Sequence, residues 1–153
     1  MRGRVITLGL AASAALVLGI GPAVAVPGGS DLQVVRLDPD PAAPGGLTTV
    51  HGFVANGGPL RTTAPFTVLI DLPAGFTAEG PYFPTTCRTA GARVVSCTFG
   101  PGLPPFGSAT ALVPVRVNAD VPPGTRAEGH VRVVSTDDHH TANNSTPFTL
   151  TVG

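Results

Sequence analysis

The sequence predicts an all-β fold: an immunoglobulin-like antiparallel β-sandwich of about seven strands with one disulfide hairpin. Three observations predict it. Gly 20 and Pro 17 together make 37 of the 153 residues, a share that long helices cannot carry. Apolar and polar residues alternate at period two in several short runs, each bounded by Gly, Pro, Asn or Asp. No segment is long and helical enough to serve as a parallel crossover, so the strands pair antiparallel, and no helix longer than one turn is expected.

In chain order, a first strand is expected over Asp31 to Arg36, with Leu32 and Val34 inward, and a second over Leu47 to Ala55, with Val50 and Val54 inward. The strongest alternation is Phe66 to Leu72, where Phe66, Val68, Ile70 and Leu72 share one face. Its turn is Pro73-Ala74-Gly75: proline fixes φ, and Gly75 supplies a position where φ can be positive. Val94 to Phe99 is the next strand. Ala111 to Asn118 follows, with Val113, Val115 and Val117 on one face and Pro122-Pro123-Gly124 beyond it. Pro114 inside that run implies an edge strand or a nitrogen turned away from the ladder. Gly129 to Ser135 puts Val131 and Val133 inward and His130 and Arg132 outward. Phe148 to Val152 closes the chain with Phe148, Leu150 and Val152 inward.

Ahead of these strands, Arg2 and Arg4 precede an uncharged apolar run from Val5 to Ile20, and the small-residue triplet Ala23-Val24-Ala25 follows Gly21-Pro22. That is the pattern of a Sec signal peptide over residues 1–25, with a short linker over 26–30 and one domain over 31–153. Removing residues 1–25 leaves 128 residues carrying seven Arg against nine acidic groups. A chain of that size can bury one core unaided. No second apolar span of membrane length and no Leu-Pro-x-Thr-Gly tail occurs, so no membrane contact is expected after signal cleavage. In an exported protein Cys87 and Cys97 are expected to form a disulfide, closing a loop that adds about 2 to 3 kcal/mol. Gly91 near its midpoint turns the chain back into Val94 to Phe99.

The punctuation of the strands resembles a known family. Pro44-Gly45, Asn56-Gly57-Gly58-Pro59, Leu72-Pro73-Ala74-Gly75-Phe76, the Cys87 and Cys97 pair, Val121-Pro122-Pro123-Gly124 and Asp137 to Asn144 ahead of Phe148 follow one another in a fairly specific order. In that order they are similar to the bacterial surface-repeat domain of unknown function eleven, an immunoglobulin-like sandwich. The resemblance covers most of the chain after residue 25 and implies a stalk or adhesive module, not an enzyme. This chain departs from the family in carrying one copy, and in having Gly52 where the family has a bulkier inward residue.

The composition and motifs exclude several classes of chemistry. Charged residues are 12%, the formal net charge is +0, and all nine basic residues are Arg, so no cationic surface for nucleic acid is expected. No Gly-x-Ser-x-Gly elbow appears, and no glycine loop joins a strand to a helix. Asp137-Asp138-His139-His140 puts four candidate ligands in a row with Asn143 and Asn144 beyond. Neighbours in a loop seldom all point inward, so a solvated turn is expected, with Asn143 and Asn144 making the turn and no metal or other cofactor. Arg without Lys, with abundant Ala, Gly and Pro, is a bacterial composition in which the acceptor patterns at Asn143 and Asn144 are incidental.

The expected function is a secreted, non-catalytic interaction module, held at most loosely at the cell wall, with an extracellular protein or a wall polymer as its partner. Phe53, Tyr82, Phe83 and Phe106 are the candidate contact residues. The alternatives are a secreted small-molecule carrier with a cleft lined by residues 79–106, and a protease inhibitor presenting Arg88 or Arg93 on the disulfide-clamped loop.

Overall fold

The computed structural model describes residues 29–153, so the expected signal peptide over 1–25 and linker residues 26–28 lie outside the described residues. Among the described residues nine strands form: β1 (Leu32–Val35), β2 (Leu47–Asn56), β3 (Phe66–Asp71), β4 (Phe76–Ala78), β5 (Cys87–Gly91), β6 (Val94–Phe99), β7 (Ser108–Val117), β8 (Arg126–Ser135) and β9 (Ser145–Thr151). They make two antiparallel sheets, one of four strands in the order β1-β2-β7-β4 and one of five in the order β5-β6-β3-β8-β9. The fold is the antiparallel sandwich expected, with two strands more than the alternation revealed. β4 is only three residues long, and β5 reads Cys-Arg-Thr-Ala-Gly, with no apolar face to betray it. Ser30, expected in the linker, is buried and bridges Asp138, so the packed domain already includes it.

Period-two alternation put the expected side chains between the sheets. Leu32, Val34, Val50, Val54, Val113, Val115 and Val117 from the first sheet meet Phe66, Val68, Ile70, Val131, Val133, Phe148 and Leu150 from the second, all of them buried. Phe66 lies opposite Phe99 in register, and their rings stack at 5.1 Å between centroids. Cys87 lies directly opposite Cys97, and the two are joined as expected.

Gly52 shows why a bulkier residue is missing there. It is buried, and a Cβ added to it would lie 2.8 Å from Val68 Cγ1 and 3.2 Å from Ile70 Cδ1, so the second sheet already occupies the volume. Gly75 has φ +87°, as the Pro-x-Gly turn demands. Pro114 is not on an edge strand: β7 lies between β2 and β4. Its carbonyl accepts the Glu79 N–H on the β4 side. Its nitrogen is therefore turned to the same side, beyond Ala78, where the β4 ladder has stopped.

Candidate interaction surface

The two sheets present different outer faces. On β2 the inward positions are even-numbered, which turns Leu47, Thr49, His51, Phe53 and Ala55 outward. The registers extend these into rows: Val35 beside Phe53 and Thr110; His51 beside Leu112 and then Phe83; Thr49 beside Pro114; Leu47 beside Arg116 and then Thr77. Leu47 is 53% exposed and Phe83 56%, with Val35 and the adjoining Leu37 also exposed and Phe53 and Leu112 half-buried. A groove of about 470 Å³ between this face and residues 37–41 is lined by Leu37, Asp38, Pro39, Asp40, Pro41, Leu47, Thr48, Thr49 and His51. The outer face of the five-stranded sheet instead carries Glu128, His130, Arg132, Thr67, Asp71, Ser96 and Thr98, with Leu69, Val94 and Val134 the large apolar residues among them.

Charge at the margin of the apolar face is internally neutralised. The Arg116 guanidinium bonds both carboxylate oxygens of Glu79 and gives a third hydrogen bond, 2.6 Å, to the Gly45 carbonyl. The hydrogen bond from Arg116 lowers the pKa of Glu79 below the usual carboxylate value against a smaller opposing effect of burial, and Glu79 correspondingly raises that of Arg116.

The four expected contact residues do not form one patch. Phe53 and Phe83 share the face just described, separated by β7. Tyr82, one residue from Phe83 in an extended segment, turns the other way and packs against the core. Phe106 is 89% exposed with φ +60°, on the loop at the Asn56 end of β2, where Phe106 donates its N–H to the Asn56 carbonyl. Asn56 itself is fully buried. Its Oδ1 accepts the N–H groups of Asp31 and Gly58 at 3.0 and 3.1 Å, and its Nδ2 donates to the carbonyls of Leu60 and Leu103 at 2.8 and 3.1 Å. Leu47, Val35 and Leu112 were missed, although strand parity gave the signal: each is an apolar residue at an outward position.

The Asp137 to His140 segment corrects the expected solvated turn. Its two histidines are exposed, but Asp138 is only 5% exposed and accepts the N–H groups of Leu32 and His140 and the Asn144 amide at 3.0 to 3.1 Å. Asp137 accepts from Ser135 Oγ at 2.6 Å, and from the Thr63 N–H at 2.6 Å, the Ala64 N–H at 3.1 Å and Thr63 Oγ1 at 3.1 Å. Burial pushes the Asp137 pKa up, yet these donors together outweigh it and hold the group at about 2. The reason is backbone satisfaction: strand ends leave N–H groups that the ladders do not use, and the carboxylates take them. Asn143 and Asn144 likewise brace Asp31 and Asp138 through their side-chain amides. Among the described residues, no group of three His, Cys, Asp or Glu side chains is placed to hold a metal ion. A second cavity of about 400 Å³ lies beside Asp31, Gly57, His139 and His140; neither cavity is lined by residues 79–106, where the carrier alternative needs its cleft.

No family model and no curated protein matches the chain. Solved structures do resemble it. A variant of BcpA, the major pilin subunit of Bacillus cereus, aligns with a TM-score of 0.51 at 10% identity, over 81% of this chain and 39% of the pilin. A chain of a CaDoc0917–CaCohA2 complex aligns with a TM-score of 0.49 at 16% identity, over 81% of this chain and 99% of its own. CaCohA2 from Clostridium acetobutylicum in solution gives 0.45 at 15%, over 80% and 92%. At these identities the likeness to the pilin bears on the fold alone.

Proposed function

We propose that this chain is a secreted, non-catalytic interaction module that contacts an extracellular protein or a wall polymer through the outer face of its four-stranded sheet. The observation that carries the reading is the asymmetry between the faces: Val35, Phe53, Leu112 and Phe83 adjoin on one, with Leu47 beyond the Thr49–Pro114 row, while charged and hydroxyl side chains predominate on the other. A contiguous apolar surface with a satisfied charge pair at its margin is what a protein contact needs, because burying it costs no unpaired ion. The order of turn motifs that resembles the surface-repeat domain of unknown function eleven favours the same role. Export rests on the signal pattern over residues 1–25.

The test is a binding isotherm of the mature chain on envelope preparations from its own producing cells, with Leu47→Ser and Phe83→Ser as variants. Each variant is expected to weaken binding about 10-fold while leaving the fold intact, as loss of an exposed apolar anchor does. Saturable binding that neither variant weakens would overturn the assignment of this face.

A further inference from the structure

The two sheets have four edges, and they differ in how far they are covered. On β9 the Thr149 N–H donates to Asp38 Oδ1 at 2.8 Å, the Thr151 carbonyl accepts the Ala42 N–H at 3.2 Å, and Gly153 donates to the Ala42 carbonyl at 3.0 Å, so residues 38–42 cover that edge. On β1 the outward N–H of Leu32 is taken by Asp138 Oδ2 at 3.1 Å, which leaves the Val34 backbone as the outward-turned position of a four-residue strand. On β4 only three residues pair, too few to template another strand. The fourth edge, β5, is open. Its residues Arg88 to Gly91 are all exposed. Cys87 donates its N–H to the Pro84 carbonyl, away from β6. Alternation along the strand therefore turns the N–H and C=O of Thr89 outward as well, just before the register shift between Thr89 and Gly91, and no backbone partner among the described residues meets them.

This edge is also electropositive. No Asp or Glu occurs between Glu79 and Asp120, while Arg88 lies on β5 and Arg93 on the turn into β6. The arginine ion pairs among the described residues use Arg36, Arg116 and Arg132, and neither Arg88 nor Arg93 belongs to one. The Cys87–Cys97 bond fixes the strand to its neighbour beside the open position, so little ordering cost remains for an incoming strand.

We propose that β5 is a strand-addition site for an extended acidic segment of a partner protein, which pairs with the Thr89 backbone and sets carboxylates against Arg88 and Arg93. Backbone bonds supply the register and the arginines the selectivity. A second copy of this chain is the poorer occupant, because two β5 edges laid together would join Arg88 and Arg93 of both chains with no carboxylate between them.

The test uses the mature chain and three end-capped peptides about eight residues long, made of Thr-Glu, Thr-Lys or Pro-Glu repeats. The Thr-Glu peptide is expected to bind about 10-fold more tightly than either of the others and to protect the Thr89 amide from hydrogen exchange. Thr89→Pro removes the outward N–H while leaving the β6 ladder intact, and it should abolish binding of the Thr-Glu peptide. Arg88→Glu with Arg93→Glu should reverse the preference toward the Thr-Lys peptide. Equal binding of the Pro-Glu peptide, or binding indifferent to Thr89→Pro, would mean a simple polyanion site and overturn strand addition. Absence of Thr-Glu binding at millimolar peptide would overturn it too, as would a dimer of the chain that Thr89→Pro dissolves.

Discussion

Replacing Asp137 by Asn should change how stability depends on pH, and the size of the change follows from the geometry. The native carboxylate has a pKa of about 2 against an ordinary 3.8. Because the folded-state value is the lower one, protonation favours the unfolded chain. The stabilisation is fully present above the unfolded value and is lost as pH falls through the folded one. A difference of this size corresponds to about 2 kcal/mol at 1.36 kcal/mol per unit, nearly all of it lost between about pH 5 and about pH 1. Asn cannot titrate, and its amide would set a donor against the N–H groups of Thr63 and Ala64. The assay is urea unfolding of the native chain and Asp137→Asn at a series of pH values; every other carboxylate titrates in both proteins and cancels. The stability gap between them should shrink by about 2 kcal/mol between about pH 6 and about pH 2. A gap that stays constant across that range would refute the claim that the donors around Asp137 hold its charge.

Three further outcomes are expected. Asn56→Ala strands four hydrogen-bond partners of a buried side chain and should cost about 3 kcal/mol in urea unfolding, with faster hydrogen exchange at the Asp31 and Gly58 amides. Gly52→Ala forces a methyl against Val68 Cγ1 and should cost roughly 1 to 3 kcal/mol, much of it recovered in the double variant with Val68→Ala, as calorimetry would report. Cys87→Ala with Cys97→Ala should lower stability by about 2 to 3 kcal/mol and loosen β5 first, visible as lost amide protection over residues 87–91.

Most of the sandwich was legible because its strands are buried on one face only, so alternation carries the signal: Phe66, Val68, Ile70 and Leu72, Val113, Val115 and Val117 of β7, and Val131 and Val133 of β8 landed inward as expected. The disulfide hairpin was expected, but β5 left no mark in the alternation because it lies at an edge with exposed side chains, where nothing apolar is required at alternate positions. The contact residues were half legible. Phe53 follows from parity, but neither Tyr82 nor Phe83 could be assigned a side without knowing that Phe83 pairs with Leu112. Asp137 and Asp138 were misplaced for a different reason. Whether a carboxylate faces water depends on which backbone N–H groups the ladders leave over, and those of Leu32, Thr63 and Ala64 are far away in sequence.

The central claim is that partner contact is made by the outer face of the four-stranded sheet, and hydroxyl-radical footprinting of the mature chain bound to its own cell envelope tests it most directly. The side chains of Leu47 and Phe83 should be protected several-fold on binding, while Val134, equally exposed on the outer face of the five-stranded sheet, should oxidise as in the free chain. Protection of Val134 with Leu47 and Phe83 left reactive would contradict the account and move the contact to the opposite face.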